Sequence, residues 1–224
     1  MTAAALPTRT LLMHSLVTAA GELRLSLDTD PLPALADGEV LVAVEAAPIN
    51  PSDVLTLTGD YGMLPPLPAV GGNEGVGRVA ALGAAPDGQP QHLSVGDLVL
   101  LPVGAGTWRS HLLADARRLV ALPAGADPLQ LSMLTVNPAT AALLLSEFVA
   151  LQPGDWVVQN AANSAVGGYL VQLARARGLR TVNVVRRDGA VAARLRSKST
   201  RSESISMAFT PSRLARSTSP RYTA

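Results

Sequence analysis

Cysteine is absent from this 224-residue chain, and lysine occurs once, at Lys198. Without cysteine there are no disulfides, no thiolate nucleophile and no cysteine-ligated zinc, structural or catalytic. Aromatic residues make up only 3% of the chain, although 48% of it is hydrophobic. That is enough for a sizeable core and two domains. No apolar run reaches the length that crosses a bilayer. Residues Met1 to Thr10 have neither the arginine-rich amphipathic character of a mitochondrial presequence nor the long apolar stretch of a signal peptide, so a cytoplasmic, bacterial-style protein is the expectation. His14, His92 and His111 are scattered without metal-ligand spacing and read as ordinary surface or turn residues, so no metal site is expected. Partners in the form of nucleic acid or membrane are not expected either.

Net charge is +1 overall but is unevenly placed: residues 197–224 carry +4 and the rest −3. That last segment holds eight serines in 28 residues and no sustained hydrophobic period. It follows Ala192-Ala-Arg-Leu-Arg196, which reads as the opening of a helix, and the pattern then stops. The expectation is a non-native, disordered tail over 197–224.

The chemistry is concentrated in Leu151-Gln-Pro-Gly-Asp-Trp-Val-Val-Gln-Asn160-Ala-Ala-Asn-Ser-Ala-Val-Gly167. A Pro-Gly turn leads into a short apolar strand, and a loop of small residues then opens a helix. Val166, Leu170, Leu173 and Ala174 give that helix one apolar stripe, and Gly178 suits its C-terminal cap. A second strand, Arg180–Val185, follows. This strand–helix–strand order is the first unit of a dinucleotide-binding fold, in which a helix N-terminus receives the pyrophosphate. The usual G-x-G-x-x-G is reduced to Ala162-x-Ser164-x-x-Gly167, with Gly167 suited to close helix–strand packing. At the end of the second strand, where this fold meets the adenosine ribose, stand Arg186, Arg187 and Asp188. Two guanidinium groups there match a 2′-phosphate and select NADPH over NADH; the alternative is two solvated arginines after a strand.

Residues 10–130 have a different texture. Short β-like runs, at Glu39–Val44, Gly75–Leu82, Asp97–Leu101 and His111–Ala114, are spaced by Gly and Pro turns, which points to a small barrel or sandwich. A helical period covers Ser132–Ala150, with Asn137-Pro138 as its start signal.

An all-β N-terminal domain followed by a nucleotide-binding unit resembles the medium-chain dehydrogenase/reductase superfamily. The segments Asn50-Pro-Ser-Asp53, Gly59-Asp-Tyr61-Gly62, Leu67-Pro-Ala-Val-Gly-Gly-Asn-Glu-Gly-Val76, Gly106-Thr-Trp-Arg109, Val136-Asn-Pro138 and Gln159-Asn-Ala-Ala-Asn-Ser164 are similar to those of its mitochondrial-type trans-2-enoyl-thioester reductases, in order and in approximate spacing. The resemblance spans about residues 10–196. It implies an α/β fold class with a GroES-like catalytic domain at 1–130 and a partial Rossmann, doubly wound NADP-binding domain at 131–196. It implies zinc-free, NADPH-dependent reduction of the 2,3 double bond of enoyl-CoA or enoyl-acyl-carrier-protein substrates, and a homodimer for a full-length relative. It also implies that the chain ends before the later strands of the nucleotide domain, which carry the dimer surface and much of the acyl pocket.

Through the resemblance, the catalytic tyrosine falls on Tyr61. Its phenol suits the chemistry, since hydride arriving at Cβ leaves an enolate that needs a hydrogen bond at oxygen and a proton at Cα. Residues alone leave open a turn tyrosine packed on a barrel rim. Cofactor contacts fall on Asn137, Asn163, Ser164, Ala165, Val166, Arg186, Arg187 and Asp188. Asn137 has helix capping as its alternative role, and Asp188 stands where the family often has another base. Trp108 reads as a packing residue, and Glu74 either orients the site or holds a loop. Two other functional readings stay open: a quinone or enone oxidoreductase of the same superfamily, and a non-catalytic fragment.

Overall fold

The computed structural model describes residues 9–17, 23–86, 92–186 and 204–208. The chain divides into two compact units, Met1–Val136 and Asn137–Ala224.

The first unit is mainly β. Strands β1 (Arg9–Val17), β2 (Leu23–Pro31) and β4 (Ala69–Val70) form one antiparallel sheet in the order β2-β1-β4. A five-stranded sheet runs β7 (His111–Asp115), β3 (Glu39–Ala46), β5 (Val76–Leu82), β6 (Leu98–Leu100), β8 (Val120–Ala121), with antiparallel pairing throughout. Strand β3 shifts register against β5 between Leu41 and Val42 and again between Val44 and Ala46. Such irregularities bend a strand and sharpen its twist, which curls the sheet around its own core. That core is aliphatic: Val40, Val42, Val79, Val99, Leu101, Leu112 and Leu119 are all buried in it. Between β3 and β4 lies the short helix α1 (Pro51–Thr58), and near the end of the unit α2 (Pro128–Leu131) is capped by Asp127, whose carboxylate accepts from Leu129 N.

The second unit opens with α3 (Asn137–Ser146), which starts at the Asn-Pro signal. Then come β9 (Trp156–Gln159), α4 (Ala165–Ala176) and β10 (Arg180–Val185), with β9 and β10 parallel as a crossover helix requires. Ala141 and Leu145 of α3 pack with Leu170 and Ala174 of α4, and Val166 and Leu173 complete the stripe. Helix α4 ends as expected, with Gly178 in the left-handed region at φ 70°.

One expectation needs correction. Within the segment read as disordered, β11 (Ser204–Ala208) pairs in parallel with β10, giving the order β11-β10-β9. The serine count had outweighed a short alternation, Ser-Ile-Ser-Met-Ala, whose period of two suits a strand. The free edge of β10 supplies the backbone partners. The other residues of 197–224, and the helix expected at Ala192–Arg196, lie outside the described residues.

Candidate active site

In the first unit the site is organised by α1. Asn50 precedes the helix in extended conformation, and Asp53 stands at its third position, so the two form a capping box. Pro51 fits the first turn, where a missing N–H costs nothing. At the other end Gly59 adopts φ 81°, a left-handed cap that residues with a Cβ disfavour. The N–H groups of Asp60 and Tyr61 then both donate to Leu55 O, at 2.9 and 3.1 Å. The cap turns the chain sharply and brings Tyr61 out beside the helix.

Tyr61 lines a cleft of about 370 Å³. One wall comes from Thr56, Leu57, Met63 and Leu64, the other from Val70, Gly71, Gly72 and Val103. The tyrosine is 38% exposed, and its hydroxyl has no hydrogen-bond partner among the described residues.

Two buried carboxylates stand behind the cleft. Asp53 is 3% exposed and Glu74 is 0% exposed. Asp53 Oδ2 accepts from Asn50 N at 2.7 Å, and Oδ1 accepts from Asn73 Nδ2 at 2.8 Å and Asn73 N at 3.2 Å. Glu74 Oε1 accepts from Asn50 Nδ2 at 2.9 Å, and Oε2 accepts from Val136 N at 3.1 Å. Thr107 Oγ1 donates to the Glu74 carbonyl at 2.9 Å. Of the two roles left open for Glu74, loop-holding is the one with direct contacts. Trp108 donates from Nε1 to Pro48 O at 3.3 Å, a packing role. Arg109 donates to Gly106 O and Ala105 O, and burial lowers its pKa below the ordinary arginine value. The involvement of Asn50, Asp53 and Asn73 was not foreseen from the sequence, although Asn and Asp three residues apart before a proline-started helix was a readable capping signal.

The second unit holds the expected cofactor loop. Asn163, Ser164 and Ala165 are exposed and Val166 is half-buried. Ser164 caps α4, its Oγ accepting from Gly167 N at 3.1 Å. Ala165 and Val166 occupy the first turn, where backbone N–H groups have no carbonyl four residues earlier in the helix. A Cβ added at Gly167 would lie 2.7 Å from the Ala162 carbonyl oxygen, so this glycine lets the helix start tight against the loop. Gln159 ties the unit together, donating from Nε2 to Asn183 Oδ1 at 2.6 Å and to Gly167 O at 3.2 Å. This Gln–Asn pair also went unforeseen. Arg186 is exposed at the end of β10, while Arg187 and Asp188 lie outside the described residues. Asn137 is buried as the first residue of α3, inside the helix rather than before it. An exposed loop of small residues, a capped helix N-terminus and an exposed arginine at the strand end together suit a dinucleotide. Among the described residues no cluster of His, Asp and Glu is suited to a metal ion, and no helix is long and apolar enough to cross a membrane.

Comparison with known proteins agrees with this architecture. Residues 36–124 match the alcohol dehydrogenase GroES-like domain. Mitochondrial enoyl-[acyl-carrier-protein] reductases from Rattus norvegicus and Homo sapiens are each 47% identical over 156 residues, 69% of this chain and 41% of the relative. That from Arabidopsis thaliana is 42% identical over 67% of this chain and 39% of the relative. The chain thus spans about two fifths of the length of these curated relatives. Among solved structures, an Etr1p/NADP/crotonyl-CoA complex is similar with a TM-score of 0.74 and 26% identity, over 88% of this chain and 60% of that one. The mitochondrial 2-enoyl thioester reductase Etr1p/Etr2p heterodimer from Candida tropicalis gives 0.73 and 28%, over 90% and 61%. These relatives overturn the cytoplasmic expectation, because the curated enzymes are mitochondrial. That expectation had rested on not finding a presequence, and a missing signal is weak ground. The chain thus carries an alcohol dehydrogenase GroES-like domain followed by a strand–helix–strand unit, and is similar to the mitochondrial-type enoyl-thioester reductases of the medium-chain dehydrogenase/reductase superfamily.

Proposed function

We propose that this chain carries the machinery of an NADPH-dependent oxidoreductase that reduces the 2,3 double bond of enoyl thioesters, on coenzyme A or an acyl-carrier protein. The observation that carries the proposal is Tyr61, presented by a left-handed helix cap into a cleft with its hydroxyl uncommitted. When bound, NADPH supplies the hydride that adds to Cβ of the substrate. The thioester oxygen then gains negative charge, and the Tyr61 phenol stabilises it by donating a hydrogen bond, or delivers the proton to Cα directly or through water. Asn163, Ser164, Ala165 and Val166 offer polar groups and first-turn N–H donors to the pyrophosphate. Arg186, with Arg187 after it, pairs with the 2′-phosphate, and Asn137 belongs near the nicotinamide end. The assembly we propose is a dimer, in keeping with the Etr1p/Etr2p heterodimer.

A second reading keeps the same hydride chemistry with a quinone as acceptor. It is supported by a putative NADPH:quinone reductase structure from Bacillus thuringiensis, with a TM-score of 0.70 and 30% identity over 88% of this chain and 58% of that one.

The test starts with calorimetric titration of the purified chain by NADPH and by NADH. Saturable binding that prefers NADPH supports the arginine reading, and equal affinity removes it. Turnover of crotonyl-CoA is then compared with that of a small quinone, in the wild type and in Tyr61→Phe. Loss of enoyl reduction with NADPH binding intact supports a catalytic phenol. Unchanged turnover removes Tyr61 from the mechanism.

A further inference from the structure

The polar network at the cleft lies outside the aliphatic core cluster of the five-stranded sheet. Burying a carboxylate is costly unless its oxygens are hydrogen-bonded, and the cost falls further only when a cation is near. Among the described residues neither Asp53 nor Glu74 pairs with a cation; backbone and amide donors alone satisfy them. Donors fixed by the backbone hold a carboxylate in one orientation, and the carboxylate in turn holds whatever carries those donors.

The carriers are the two walls of the cleft. Asp53 belongs to α1, and Asn73 ends the Gly71-Gly72-Asn73 segment on the opposite wall. Both oxygens of Asp53 are used, one on the residue before its own helix and one on the segment across the cleft. Asn50 links this carboxylate to Glu74. Helix α1 has only eight residues, and its far end emits Tyr61 through the two bonds to Leu55 O. It is a short rigid lever: clamped to the opposite wall at Asp53, it presents the phenol at the other end.

We propose that Asp53 is a positioning residue for Tyr61, with Asn73 as its partner across the cleft. It sets the gap between α1 and the Gly71–Asn73 wall and thereby where the phenol meets a bound thioester. This rests on the reading of Tyr61 as the group that faces the substrate.

The test is spectroscopic and uses the whole chain. Tyrosine labelled with ¹³C at Cζ gives three resonances, from Tyr61, Tyr169 and Tyr222, and Tyr61→Phe identifies the first. Spectra are recorded for the wild type, Asp53→Asn and Asn73→Ala, with and without crotonyl-pantetheine. Val99→Ala, in the centre of the barrel core, controls for general loosening. In the two network variants the Tyr61 resonance is expected to shift or broaden while that of Tyr169 stays. Apparent affinity for crotonyl-pantetheine at Tyr61 falls about fivefold, the equivalent of one lost hydrogen bond. In Val99→Ala both resonances stay. If Asp53→Asn does not fold, Asn73→Ala decides, since it removes one donor and leaves the carboxylate with its two backbone donors. A Tyr61 resonance unchanged in a folded network variant, or moved equally by Val99→Ala, overturns the positioning role. Failure of the underlying reading shows differently: crotonyl-pantetheine then leaves Tyr61 unmoved in the wild type, and any catalytic purpose for Asp53 goes with it.

Discussion

The two units place their polar groups in opposite ways. The first sinks polar groups into the protein: Asp53, Glu74 and Thr107 are buried behind the cleft, and each is hydrogen-bonded within the unit. The second leaves its polar groups at the surface, where Asn163 and Ser164 stand exposed at the mouth of α4. The proposed function gives this difference a purpose in each unit. A proton donor needs a defined place, so its surroundings are pre-paid in buried hydrogen bonds. A pyrophosphate needs only N–H groups at a helix end, which the fold provides without a network.

The packing differs in the same direction. Strand β3 in the first unit has neighbours on both sides and a run of three buried residues. Strand β9 is an edge of a three-stranded sheet, with Val158 68% exposed and Trp156 half-exposed beneath the Arg180 guanidinium, 5.5 Å from the ring centroid. Helix α3 likewise exposes Leu143 and Leu144, and Phe148 just beyond it is exposed too. The second unit is therefore expected to be the less stable, and the chain supplies one tryptophan per unit with which to see it.

Leu101→Ala should have the largest effect. This side chain is among the largest fully buried ones, and its truncation should cost about 3 kcal/mol, transfer and cavity terms together. In Trp156→Phe, where Trp108 alone reports, the urea transition should move to lower denaturant. In Trp108→Phe, where Trp156 alone reports, it should stay. Joint movement of both signals would show that the two units unfold as one and erase the contrast.

Gly167→Ala comes next. The new Cβ would press on the Ala162 backbone at 2.7 Å, so the loop must shift, at a cost of about 2 kcal/mol. The Trp156 transition should register this and NADPH titration should weaken with it, while Trp108 is unaffected. Ser164→Ala is milder, about 1 kcal/mol for the lost cap. Its effect on NADPH should exceed its effect on stability if the loop holds the pyrophosphate.

How much of this was legible in the chain depended on range. Strands β3, β5, β6 and β7 announced themselves as short apolar runs between Gly and Pro turns, α3 through its Asn-Pro start and α4 through its small-residue start and Gly178, because those signals act within a few positions. Strands β1, β2, β4 and β8 carried no such signal and went unread. The Ala162–Gly167 loop was legible for the same reason as α3 and α4, whereas Tyr61 was singled out only through the family resemblance. The Asp53–Asn73 and Asn50–Glu74 bonds join residues 20 and 24 positions apart, and no local pattern encodes which distant amide a carboxylate will meet. Gln159 and Asn183 paired unannounced on the same account. Edge position was equally hidden: Trp156-Val-Val-Gln reads as a strand whether or not both of its sides are paired. The alternation in β11 was present but stood among serines, and its pairing depends on an open edge of β10 that only the fold reveals.

The smallest effect separates the units by pH. All three histidines lie in the first unit, and none occurs from residue 137 onward. His111 pairs with Ala43 on β3, its Nδ1 lies 3.1 Å from Ser110 Oγ, and burial lowers its pKa below the ordinary 6.5. A depressed folded-state value means that the unfolded chain takes up the proton first. His111 therefore favours the folded state fully above pH 6.5, and this contribution is lost as pH falls from there through the folded-state value. Between pH 7 and 5.5 the Trp108 transition should drift to lower urea, and His111→Gln should flatten that drift while the Trp156 transition is unaltered. A drift of equal size in His111→Gln would assign the effect to other groups of the barrel and leave His111 a bystander in its stability.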